Sequence, residues 1–136
     1  MYVIQKCNKF EDTIQLQNTN GEVERELHIV IDDMLHSLKK FREANLEFVK
    51  AQRLLKEKPE DTAVIEMVGS AIITTFNGLF GQDNTENILC FYENNYTQML
   101  VDFMPYINNI MVPAMQRAAK SKMKRLKNPK KWSYGK

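Results

Sequence analysis

The segment from Val64 to Phe80 constrains the fold of this chain more than any other part of its sequence. Its apolar residues do not keep to one face of a helix but cover most of its circumference. They are Val64, Ile65, Met67, Val68, Ala71, Ile72, Ile73, Phe76, Leu79 and Phe80. A helix that is apolar nearly all round is normally surrounded by other elements. We therefore predict that this segment is the central helix, with Gly69 allowing the close approach of a neighbour.

The size of the chain indicates one domain around that helix. With 136 residues it is long enough for one hydrophobic core and too short for two. Hydrophobic residues make up 43% and charged residues 26%, which excludes wholesale disorder. We find no uninterrupted apolar run of the roughly 18 residues that span a bilayer, and no signal-peptide segment at the N-terminus. These features predict a cytoplasmic protein without membrane association.

The N-terminal third changes from a strand pattern to a helix pattern. Alternating apolar and polar residues on both sides of Asn18-Thr-Asn-Gly21 predict a β-hairpin at about 12–30. From about residue 32 the apolar residues recur every seven positions, as expected for a long amphipathic helix. The recurring residues are Met34, Phe41, Phe48 and Leu55. This row would suit self-association, but packing against the central helix is the preferred explanation.

Proline and glycine mark the later helix boundaries. Pro59 ends the first helix, and Gly78 and Gly81 provide a left-handed stop after the central one. Asn84 or Thr85 is the expected cap of the next helix. Pro105 suits the first turn of the last helix, which Pro113 should kink. We predict helices at about 32–57, 60–80, 84–104 and 105–127.

The predicted fold class is therefore mainly α. It consists of a single helical domain at 1–127 with a small N-terminal β-hairpin, followed by a flexible basic C-terminal tail at 128–136. Nine of the 19 basic residues fall between Arg117 and Lys136, a segment without acidic residues. The first 116 residues carry ten basic and 17 acidic groups, so an acidic body with a net charge of −7 precedes a basic end.

The glycine-rich stretch "GLFGQDNTEN" at 78–87 does not have the pattern of a ligand loop. It lacks the spacing, the lysine and the preceding strand of a phosphate loop, and its two acidic residues are too few for calcium. A turn between two helices accounts for its composition.

His28, Asp32 and His36 are spaced by four and could approach a metal on one continuous helix. The predicted hairpin places His28 in a strand, which separates the three residues. No Ser-His-Asp or Cys-His pattern is evident either. We therefore predict no metal, no cofactor and no enzymatic activity.

The last helix combines methionines with basic residues. Methionine is an adaptable side chain for irregular apolar partners, which suggests that Met111, Met115 and Met123 form a partner-binding surface. The basic residues of the same segment would add electrostatic attraction to an acidic partner. The predicted partner-binding residues of this kind are Arg117, Lys120, Lys124, Arg125 and Lys127, together with Trp132. Binding of nucleic acid by the same basic residues, with Trp132 stacking on bases, is the alternative.

The second half of the chain contains several short patterns, which are Leu79-Phe80-Gly81, Asn84-Thr85, Ile88, Phe91-Tyr92-Glu93, Met104-Pro105-Tyr106-Ile107 and the "VPAMQRAAKSKMKRLK" segment at 112–127. Together with the order of elements over nearly the whole chain, they resemble a family of small proteins encoded among the tail genes of phages and prophages of Gram-positive bacteria. The residues of these patterns are packing and turn residues rather than catalytic ones.

The resemblance implies a function as a tail assembly chaperone. Such a protein binds the long helical tape-measure protein in the host cytoplasm, keeps it soluble and helps tail-tube subunits to assemble around it. The expected partners are therefore the tape-measure protein and tail-tube subunits. A phage structural or nucleic-acid-associated protein that binds through the basic tail is the alternative.

Overall fold

The computed structural model describes residues 1–4 and 9–127 and has a mainly helical fold with an N-terminal hairpin. Strands β1 (Phe10–Gln17) and β2 (Val23–Ile31) precede helices α1 (Met34–Glu57), α2 (Thr62–Phe80), α3 (Gln82–Phe91) and α4 (Tyr96–Tyr106). A π-helical segment (Ile107–Met111) then continues into α5 (Val112–Lys127). The predicted fold class of a mainly α domain with a small hairpin is confirmed. The predicted tail at 128–136 lies outside the described residues.

The hairpin is antiparallel, and its turn is stabilised by Asn18. The Asn18 carboxamide oxygen accepts hydrogen bonds from the backbone N–H groups of Asn20 and Glu22. Gly21 adopts a φ of 79°, and the register shifts after Leu16, as in turns that end in a glycine bulge. The asparagine and glycine predicted to form the turn therefore do so.

Short polar side chains cap the N-termini of three of the helices. The carboxylate of Asp33 accepts from the backbone of His36 at the start of α1, and Asp61 accepts from Ala63 at the start of α2. Asn95 accepts from Gln98 at the start of α4. Each residue satisfies an N–H group that the helix cannot pair internally, so these boundaries follow from local sequence.

Helix α2 is central, as its sequence predicts. It contacts β2, α1, α3 and α4, and Phe76 is fully buried. The rings of Phe76, Phe80 and Phe103 meet with centroids 5.3–5.4 Å apart. By length and composition α2 could also cross a membrane, contrary to the sequence-based expectation, but a buried core helix meets the same criteria.

Every strand and helix contributes to one core. Its buried members are Leu16, Leu27, Ile29, Ile31, Leu38, Ile72, Phe76, Leu79, Phe80, Ile88, Met99, Phe103, Ile107, Met111 and Met115. Met34, Phe41 and Phe48 of the seven-residue row pack against this core. The row therefore serves the packing of α1, as preferred from the sequence.

Two predicted boundaries are wrong. The helix expected at 84–104 is interrupted, because Glu93 and Asn94 have φ values of 51° and 63° and end α3. Pro105 does not begin a helix but lies inside α4. The chain continues through the π-helical segment, where Val112 donates to the carbonyl of Ile107, five residues earlier. Pro113 has no N–H group, and the wider spacing just before it accommodates this loss.

Candidate functional site

The start of α5 belongs to the core rather than to the surface. Met111 and Met115 are completely buried, and Val112 packs beside them. The prediction that these two methionines form a partner-binding surface is therefore wrong. They are buried because the π-helical segment carries the chain directly from α4 into α5, which packs against α1 and places both methionines in the core. The adaptable shape of methionine here fills the core.

The end of α5 has an apolar row without a covering element among the described residues. In α5 the buried side is formed by Val112, Met115 and Ala119, at intervals of three and four residues. The same intervals continue to Met123 and Leu126, which are 46% and 59% exposed. The sequence predicted Met123 at a binding surface but missed Leu126, although the spacing could have identified it.

The start of α1 lies beside α5 just before these exposed residues. Lys122 of α5 lies with its Nζ 4.0 Å from Oδ1 of Asp33, the residue that caps the start of α1. The start of α1 therefore lies beside Lys122, and Met123 and Leu126 follow towards the end of α5, where both are exposed.

Basic side chains lie along one side of this apolar row. Arg117, Lys120 and Lys124 are exposed, and α5 contains no acidic residue. Positions 117, 120 and 124 share one face of the helix, beside Met123. Arg125 and Lys127 are in α5, but their side chains are outside the described part of the chain, as is the whole of Trp132. We call Met123, Leu126, Arg117, Lys120 and Lys124 the α5 end surface, which spans about half of the helix circumference, with Met123 between Leu126 and the basic residues.

The glycine-rich stretch after α2 connects the hairpin to the helices. Gly81, with φ 83° and ψ 161°, ends α2 and begins α3 in a conformation that is essentially restricted to glycine. The side-chain amide of Asn84 donates to the carbonyls of Phe80 and His28, both at 2.9 Å. Thr85 donates to the Gly81 carbonyl at 2.8 Å. The two side chains therefore satisfy carbonyl groups instead of capping the start of α3, as the sequence had suggested.

Two further side-chain pairs hold the hairpin on the helices. Arg25 of β2 donates from Nη1 to the carboxamide oxygen of Asn87 in α3 at 2.7 Å. The Tyr106 hydroxyl donates to a carboxylate oxygen of Asp12 in β1 at 2.6 Å. Burial and, to a smaller extent, this hydrogen bond and the charge of Asp12 raise the pKa of Tyr106 above its ordinary value. The patterns around residues 84–87 and 106 therefore have a structural function.

The three residues considered as a metal site, His28, Asp32 and His36, do not lie on one helix. His28 is in β2, where its Nε2 lies 3.3 Å from a carboxylate oxygen of Glu11, whereas His36 is in the first turn of α1. Among residues 1–4 and 9–127, no three His, Cys, Asp or Glu side chains are placed to hold a metal ion.

A shallow groove runs along the outer side of α1 and α2 and was not predicted. Two adjoining cavities of about 300 and 480 Å³ share Ala44, Glu47 and Thr74. Small side chains form much of the groove, so the two helices approach closely beneath it. Its charged residues, Lys40, Glu43 and Glu47, are of both signs.

Comparisons with known proteins gave no similarity on which a family could be assigned. The chain matches no protein-family model, and no curated protein or solved structure is significantly similar to it.

Proposed function

We propose that this chain is a non-enzymatic tail assembly chaperone of a phage or prophage, and that it holds the tape-measure protein through the α5 end surface. The observation that carries the proposal is the apolar row of α5. It continues past Lys122, which lies beside the start of α1, to the exposed residues Met123 and Leu126. Two exposed apolar residues on one face, spaced by three, provide one side of a helix-to-helix contact.

The chemistry of this surface indicates what it would bind. An apolar row next to Arg117, Lys120 and Lys124 is complementary to an amphipathic helix with acidic residues beside its apolar face. A tape-measure protein before assembly is a long helical chain whose apolar surface is not yet covered. The methionine side chain can adjust to different sequences along such a partner. Tail-tube subunits are proposed as further partners in the same cytoplasmic assembly.

The test is co-expression with the tape-measure protein of the same tail-gene cluster, followed by pull-down. We expect a soluble complex that survives high salt, because burial of apolar surface does not weaken as salt is added. The double variant Met123→Ser/Leu126→Ser should lose the complex. The matched control is Ile65→Ser/Val101→Ser, which changes two residues that are 50% and 60% exposed on other helices and should retain it.

Two outcomes would contradict the proposal. Capture that is unaffected by Met123→Ser/Leu126→Ser would exclude this site. Retention of DNA instead of the tape-measure protein would favour the nucleic-acid alternative, provided that the affinity falls steeply with salt. Each phosphate neutralised contributes about −0.9 to the slope of log affinity against log salt. In that case Lys120→Gln/Lys124→Gln should reduce the slope.

A further inference from the structure

The hairpin has an acidic face turned away from the core. Its inward side chains, such as Leu27 and Ile29, are buried, so the alternate residues of both strands point outward. The outward charges are Glu11, Glu24 and Glu26, and the outward histidine, His28, already lies beside Glu11. Arg25, the arginine of the hairpin, is on the other side with Asn87. We call Glu11, Glu24, Glu26 and the exposed Val30 the outer hairpin face.

The α5 end surface has the opposite character. Its charges are all basic, and each of the two surfaces has an exposed apolar residue: Met123 is 46% exposed and Val30 is 40% exposed. The spacings also agree. Glu24 and Glu26 are two residues apart in a strand, which separates them by about 7 Å, and Lys120 and Lys124 are one helical turn apart, about 6 Å.

From this complementarity we infer that a second copy of this chain docks on the outer hairpin face through its α5 end surface. One chain contains both halves of the contact. Within a single copy the two do not cover each other, since Glu24, Glu26, Lys120 and Lys124 are all exposed. The contact goes beyond the proposed function, because it uses the hairpin and needs no tape-measure protein. It would also cover Met123, which adjoins Lys120 on the helix, until a partner displaces the second copy.

The experiment is light scattering of the purified full chain over a range of concentrations at low and high salt. At 0.01 M salt, where charges act over about 30 Å, we expect the mass to rise above 15.9 kDa with concentration. At 1 M salt, where this distance is about 3 Å, the mass should return to that of one chain. A single-chain mass at every concentration in low salt would overturn the inference.

Charge exchange tests the two faces separately. Glu24→Lys/Glu26→Lys and Lys120→Glu/Lys124→Glu should each abolish association, because each variant opposes like charges. An equimolar mixture of the two should restore it, since the faces of one variant then complement those of the other.

The matched control for the acidic face is Glu57→Lys/Glu60→Lys, which makes the same change of net charge at exposed residues at and just after the end of α1. It should associate like the unmodified chain. Association that persists in either exchanged variant, or a mixture that remains monomeric, would overturn the assignment of these faces. Unchanged far-UV circular dichroism would confirm that the variants are folded.

Discussion

Replacement of Gly81 by alanine should destabilise the chain, whereas the same replacement at Gly78 should not. Gly81 adopts φ 83° and ψ 161°, a region that costs a residue with a side chain about 1–3 kcal/mol. A Cβ atom there would meet no other atom within 4 Å, so the cost comes from the backbone conformation alone.

Gly78 is the internal control for this prediction. It lies inside α2, and its Cβ would approach only the Cβ of Lys40, at 4.0 Å, an ordinary contact distance. Alanine is favoured over glycine in a helix interior by up to about 1 kcal/mol. The two substitutions add the same methyl group three residues apart, and they should change the free energy of unfolding in opposite directions.

The assay is urea unfolding followed by far-UV circular dichroism, together with thermal unfolding. For a chain of this length a change of about 1 kcal/mol in the free energy of unfolding corresponds to a change of roughly 3–4 °C in Tm. We expect Gly81→Ala to lower Tm by about 3–12 °C and Gly78→Ala to raise it by up to about 4 °C. The slope of the free energy of unfolding against urea concentration should be the same in both variants as in the unmodified chain. Equal effects of the two substitutions would refute the argument, because they would show that the backbone conformation at Gly81 does not require glycine.

Three further predictions concern the core and the attachment of the hairpin. Met115→Ala should lower the free energy of unfolding by about 2–5 kcal/mol because it leaves a cavity in the core. The exposed Met123, replaced by alanine, should change it by less than about 0.5 kcal/mol. Equal effects of the two substitutions in urea unfolding would contradict the burial of Met115. Asn84→Ala should cost about 1–3 kcal/mol through its two carbonyl contacts and should speed amide exchange in β2, and unchanged exchange would exclude this link. Tyr106→Phe should lose the contact with Asp12. The pKa of Tyr106 in the folded chain is raised above its ordinary value of 10.0. The variant should therefore differ from the unmodified chain in free energy of unfolding by the full amount below pH 10, and this difference should decline at higher pH. A difference that does not vary with pH would contradict that shift.

The candidate site was only partly predictable. The basic residues of α5 and the exposed Met123 follow from the sequence, since a charge-rich helix end is normally solvated. Met111 and Met115 were misplaced because a methionine row has the same spacing on a buried face and on a binding face. The spacing could have identified Leu126 as part of the row on α5, but its exposure and the acidic face of the hairpin became evident only from the fold and the strand register.

The sequence by itself determined the helical class, the hairpin, the central position of α2 and the approximate starts of α1 and α2, which Asp33 and Asp61 cap. Each depends on contacts within a few residues or on the amount of apolar surface that a helix must bury. Tertiary structure decided where α5 leaves the core and what Asn84 contacts. Those outcomes depend on residues far apart in the chain: Lys122 of α5 lies beside Asp33 at the start of α1, and the carbonyl of His28 in β2 accepts from Asn84. Local spacing contains no information about which element will lie opposite a given face, so the boundary between core and surface on α5 required the fold.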